Sequence, residues 1–160
     1  MKTSILFSLL FACIGFQSCK KNQKEEANKA KQIQAEKPIS VKCFKALYEQ
    51  DTIELKMNTL KNGKITGDMV IKFFNTEKKV GKIAGEFSGD TLFASYTFIQ
   101  GENKKVTFKN PMAFLKRGDQ LILGNGKMQT TMGATYFIKD SPIDFESVKF
   151  IFSAAECVTR

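Results

Sequence analysis

Histidine and tryptophan are absent from this 160-residue chain, and proline occurs only three times. The missing histidine excludes most. It removes the commonest general base and the usual zinc ligand, and with them every Ser-His-Asp or Cys-His nucleophile. A metal would have to be held by carboxylates alone. Three prolines and eleven glycines exclude collagen-like and low-complexity classes. No phosphate-cradling G-x-x-x-x-G-K-[ST] stretch, no dinucleotide fingerprint and no C-x-x-C pair occurs. No cofactor is expected. Acids are in deficit, 16 against 25 Lys and Arg, for a formal charge of +9. Long apolar runs are scarce too. The longest, Ile5 to Phe16, falls short of the roughly 20 residues that a spanning helix needs.

That run follows Lys2 and ends just before a burst of charge, "CKKNQKEE". A positive start, a short apolar stretch and an extreme N-terminal position fit a secretory signal peptide. The residues before Cys19 are Phe16, Gln17 and Ser18. With Ser18 small and a cysteine directly after it, the segment resembles a bacterial lipoprotein signal. Phe16 and Gln17 depart from the usual Leu and small residue, a looseness that Bacteroidetes-type lipoproteins tolerate. The resemblance implies cleavage before Cys19, a diacylglycerol on its thiol and acylation of the new amino group. A second lipobox-like stretch, Leu10-Phe11-Ala12-Cys13, would leave only about eight apolar residues ahead of it and an apolar scrap on the mature terminus. Cys19 is therefore the expected attachment residue. Each buried methylene adds about 0.8 kcal/mol, so two or three acyl chains hold a protein at the bilayer.

Charge is unevenly placed. Residues 20–42 carry seven Lys against three Glu, and residues 43–160 carry 17 basic against 13 acidic residues. The first region has few large apolar residues, which predicts a disordered, lysine-rich tether over 19–40. Its lysines suit a solvated linker, or attraction to acidic headgroups.

From Val41 the texture changes. Beta-branched and aromatic residues come in short runs divided by turn signals, which predicts an all-β domain over 41–160. "TIELKMNTL" alternates Ile53, Leu55 and Met57 against Glu54, Lys56 and Asn58. "KNG", "SGD" and "KRGD" read as tight turns, and Pro111 marks an edge or bulge. A short echo, "GKITGD" at 63–68 and "GKIAGE" at 81–86, suggests neighbouring hairpins of like geometry. Eight to ten sequential strands predict an antiparallel meander closing into a small lipocalin-like barrel, with a β-sandwich as the alternative. Cys43 opens the first strand and Cys157 closes the last. First and last strands are neighbours in a closed meander, so an exported chain is expected to bridge them.

Candidates for chemistry are few. Asp140, Asp144 and Glu146 cluster in "KDSPIDFE", a pattern that suits turn formation. "RGD" at 117–119 reads as a hairpin turn. Glu54 and Glu86 are the kind of carboxylate pair that a histidine-free hydrolase would need. Nucleic acid is excluded as a partner, because the 15 phenylalanines fall within strands and acids dilute the basic residues. "TLFASYTFI" is apolar on both faces, with Leu92, Ala94, Tyr96 and Phe98 on one and Phe93 and Ile99 on the other. "MVIKFF" and "VKFIFSAA" share the trend. Such strands fill a core, or line a barrel that holds an apolar ligand; Phe93, Tyr96, Phe98, Phe150 and Phe152 are the candidate lining.

"GEFSGDTLFASYTF" followed by "MAFLKRGDQLILGNG" resembles uncharacterised lipoproteins of Bacteroidetes, over roughly residues 43–157. The likeness implies a bacterial envelope location and no catalytic activity. Surface-exported members carry acids after the cysteine. Here Lys20 and Lys21 stand there, which implies an outer-membrane lipoprotein on the periplasmic face. The expectation is a signal peptide (1–18), a tether (19–40) and a non-catalytic binding or structural domain (41–160). Its expected partners are the membrane, through the anchor, and an apolar small molecule or an envelope protein. A carrier with an apolar ligand inside the barrel is the alternative, and a carboxylate hydrolase the weaker one.

Overall fold

A computed structural model of the chain describes residues 36–132 and 134–157. The apolar run, Cys13, Cys19 and most of the tether lie outside the described residues. Ten strands follow one another: β1 Ser40–Tyr48, β2 Asp51–Thr59, β3 Ile65–Lys72, β4 Lys79–Ser88, β5 Thr91–Gln100, β6 Phe108–Arg117, β7 Gln120–Leu123, β8 Met128–Thr131, β9 Ala134–Phe137 and β10 Ile151–Ala155. Among the described residues there is no helix. Every strand pair is antiparallel, and eight strands close a barrel in the order β1-β10-β7-β6-β5-β4-β3-β2. The fold is the predicted closed meander, not the sandwich.

Alternation drives the closure. Side chains on a strand point to opposite faces in turn, so Ile53, Leu55 and Met57 face inward while Lys56 faces solvent. The same phase puts Leu92, Ala94, Tyr96 and Phe98 inside and leaves Phe93 outside. Each of the eight barrel strands supplies at least one side chain to a single core, from Phe44 and Ala46 on β1 to Phe152 on β10. Burying one such Leu, Ile or Phe contributes about 1.5–3 kcal/mol. The core holds no buried polar or charged residue among those described.

A small barrel needs sharply coiled strands, and β4 supplies the bend. Gly81 and Gly85 face inward there, and a Cβ on either would strike a carbonyl oxygen of β5, that of Thr97 or of Phe93. Gly67 on β3 meets the Lys56 carbonyl in the same way. The echo of 63–68 in 81–86 is therefore only partly structural. Gly67 and Gly85 share a role, but Gly63 lies in the turn before β3 while Gly81 lies inside β4. Pro111 pairs with Ser95 on the β5 side, in the half of β6 that lies beyond the β7 ladder, so its missing N–H breaks no strand pairing there.

The β8–β9 hairpin departs from a simple meander. The chain leaves the barrel after β7 and forms a separate two-stranded sheet. It then returns as β10 to pair with both β7 and β1. The reason is compositional. Met-Gln-Thr-Thr of β8 is exposed along its whole length and has no apolar face to bury. The excursion instead covers the outer side of the barrel near β6. Gly124 and Gly126 lie against Ile143, Phe145 and Phe137, and the outward-facing Ala113 and Ile122 are almost fully buried.

Candidate functional site

The barrel has two unlike ends. At one, the connections are short: residues 60–64, 89–90 and 118–119. The chain enters β1 at this end, and Cys43 and Cys157 form a disulfide near it, with Cα atoms 5.2 Å apart. Gly118, at φ +60°, makes the "RGD" tripeptide a turn, and Arg117 is held by Glu146 at 2.7 Å. At the other end the loops are longer, residues 73–78, 101–107 and 124–150, beside one short turn at 49–50. This end is the mouth.

Of the five candidate ligand-lining residues, the structure gathers four. Tyr96, Phe98 and Phe152 lie in the core, and Phe150 is half-buried at the mouth. Phe93 is 44% exposed on the outer face, because it stands an odd number of positions from Tyr96. Phe152 meets Phe114 edge-on at 5.7 Å, and Tyr96 stacks on Phe98 at 4.7 Å. The Tyr96 hydroxyl donates to the Met69 carbonyl at 3.1 Å, across the barrel wall. Burial disfavours its phenolate and pushes its pKa well above the ordinary tyrosine value.

At the mouth the rings form an arc with two cations. Phe108 stacks on Phe98 at 5.4 Å, and the Lys79 ammonium sits 5.6 Å from the Phe98 ring and 5.7 Å from Phe73. Phe73 stacks on Phe150 at 5.7 Å, Phe150 meets Tyr48 edge-on at 6.0 Å, and Lys149 stands 5.1 Å from the Tyr48 ring. The arc links the mouth ends of β1, β3, β4, β5, β6 and β10. Cation–π contacts of this kind contribute about 0.5–1 kcal/mol at exposed sites. Lys79 was legible in the sequence, since it stands in phase with the inward Ile83.

Beside the mouth, on the outer face, a cavity of about 580 Å³ is lined by Lys45, Thr52, Glu54, Val70, Lys72, Thr76 and Lys78. Strand register builds it. Lys45 lies opposite Glu54 and Glu54 opposite Val70, while Leu47 lies opposite Thr52 and Thr52 opposite Lys72. The 73–78 loop closes one side and is braced: the Asp51 carboxylate accepts the Phe74 N–H at 2.7 Å, and the Phe73 carbonyl accepts the Thr76 N–H at 3.2 Å. Exposed Leu47, Phe74 and Val80 flank the cavity. No motif announces it, because its lysines come from three separate segments.

The acidic candidates do other work. The Asp144 carboxylate accepts the backbone N–H groups of Glu146 at 2.8 Å and Ser147 at 3.1 Å, which holds its pKa below the usual aspartate value. It organises the 144–147 turn. Glu54 lies opposite Val70 and, through it, Val80, six positions along β4 from Glu86. At about 3.3 Å per residue that is roughly 20 Å, too far for paired carboxylates to share one bond. Among the described residues no group of three or more His, Cys, Asp or Glu is placed to hold a metal ion.

No protein-family model matches the chain, and neither the curated proteins nor the solved structures yielded a match.

Proposed function

We propose that the chain is a lipid-anchored protein of the bacterial envelope, held through Cys19. In this reading the segment between Cys19 and β1 is a tether, and the barrel is a non-catalytic binding or structural module on the periplasmic face of the outer membrane. The observation that carries it is the Cys43–Cys157 disulfide. Such a bond persists in oxidising compartments, and it belongs to a chain that begins with a short apolar run ending beside a cysteine. The resemblance to uncharacterised Bacteroidetes lipoproteins points the same way. The apolar core, with contributions from every barrel strand, supports binding at the outer surface and mouth instead of deep inside. The test is fractionation of cells that express the full chain. Wild type sediments with the membranes, and Cys19→Ala appears in the soluble periplasmic fraction. Equal distribution of the two would end the proposal.

A carrier role is the second reading. It draws on one observation: the half-buried rings Phe73 and Phe150 with Lys79 at the mouth, where an apolar ligand would enter. Native mass spectrometry of the barrel domain separates the two readings. A carrier emerges with a bound mass, and a surface-binding module emerges bare.

A further inference from the structure

The cavity on the outer face of β1, β2 and β3 is lined by three lysines, one glutamate and two threonines. That balance selects an anion. The surroundings narrow the choice. Leu47 is 63% exposed and Phe74 56% exposed, and Val80 lies opposite the cavity-lining Val70. A soluble anion has no use for such flanks. A phospholipid headgroup does, because its phosphate sits directly above hydrocarbon. Exposed apolar side chains beside lysines are what an interfacial protein presents to a bilayer.

We propose that this cavity docks the phosphoryl headgroup of an anionic phospholipid at a bilayer surface. Lys45, Lys72 and Lys78 contact the phosphate, and Leu47, Phe74 and Val80 enter the acyl layer. The braced 73–78 loop holds Lys78 and Phe74 in place before the lipid arrives. This contact is separate from any chain attached at Cys19. It would lay one flank of the barrel, close to the mouth, against the membrane.

The test uses Lys37–Arg160, a compact unit that contains the whole core and the disulfide. It is floated with vesicles of phosphatidylcholine alone or with phosphatidylglycerol added. The proposal expects binding only where the anionic lipid is present. Lys45→Gln/Lys72→Gln/Lys78→Gln should weaken it by roughly 150-fold, from about 1 kcal/mol per lysine near an anionic surface. Lys61→Gln/Lys64→Gln/Lys116→Gln removes equal charge at the opposite end and should change binding by less than about threefold. Leu47→Ser/Phe74→Ser should also weaken it. All these side chains lie on the surface, and the unfolding midpoint of each variant verifies its fold. Equal losses in the two lysine triples would mean diffuse electrostatics and overturn the proposal. So would equal binding to neutral vesicles, or no binding at all. Complete competition by glycerol phosphate with Leu47→Ser/Phe74→Ser unaffected would overturn it as well, in favour of a soluble phosphate ligand.

Discussion

Replacing Cys43 and Cys157 together by serine opens a covalent loop whose ends are 114 residues apart in sequence. On the chain-entropy account, a loop of that length restricts the unfolded chain by about 16 cal/mol/K, or about 5 kcal/mol at 25 °C. The location matters as much as the length. Among the ladders that close the barrel, those of β10 are the shortest, with three register pairs to β1 and two to β7. By comparison, β4 and β5 share ten. The disulfide therefore ties the chain shortly after β10 to β1, beside one of the two shortest ladders of the barrel. For a unit of roughly 120 residues, 1 kcal/mol corresponds to about 4 °C in Tm, so the double variant should melt as much as about 15–20 °C lower. Calorimetry on the oxidised wild type and the double variant measures this directly. Urea titration adds a second reading, because the freed chain exposes more surface when unfolded and its m-value should rise. A Tm difference below about 2 °C would refute the reasoning. The ladders of β10 alone would then suffice to close the barrel.

Two further outcomes follow from the wall and the core. Gly85→Ala should cost about 1–3 kcal/mol, because the added methyl group would meet the Phe93 carbonyl and the Ala94 backbone, neither of which is a flexible side-chain end. Chemical denaturation reads this, and an unchanged midpoint would mean that β4 and β5 separate without strain. Tyr96→Phe should cost about 1 kcal/mol, since it leaves the Met69 carbonyl without its donor. Tyr96 also makes stability depend on pH in alkali. Its folded pKa lies above the ordinary value of 10.0, so the folded state keeps a proton that the unfolded chain loses. Stability is fully present below pH 10 and falls as pH rises beyond it. In Tyr96→Phe that alkaline slope should flatten, and an identical slope would contradict the assignment.

The barrel was legible because its signal is local. The alternation of Ile53, Leu55 and Met57 fixes which face is inside, and the turn residues at 62–63 and 118–119 mark where strands reverse. The pairing of Cys43 with Cys157 followed from closure of the meander. What escaped depends on contacts far apart in sequence. "KMQTTM" and "ATYFIK" form strands as expected, and the lack of an apolar face on β8 is local, but that β10 bypasses both strands to pair with β7 and β1 is not. The cavity lysines share only an outward phase, and register alone brings Lys45 and Lys72 to one side of the barrel. Phe93 shows the reverse lesson. Strand phase already separates it from Tyr96 and Phe98, and its 44% exposure follows from that phase.

The proposed acylation at Cys19 carries the account, and it is tested most directly by metabolic labelling with an alkyne-bearing fatty acid, followed by mass analysis of the mature N-terminal peptide. The account predicts a labelled wild type whose first residue is a lipidated Cys19, and an unlabelled Cys19→Ala. An unlabelled wild type, or a label that persists in Cys19→Ala, would contradict it.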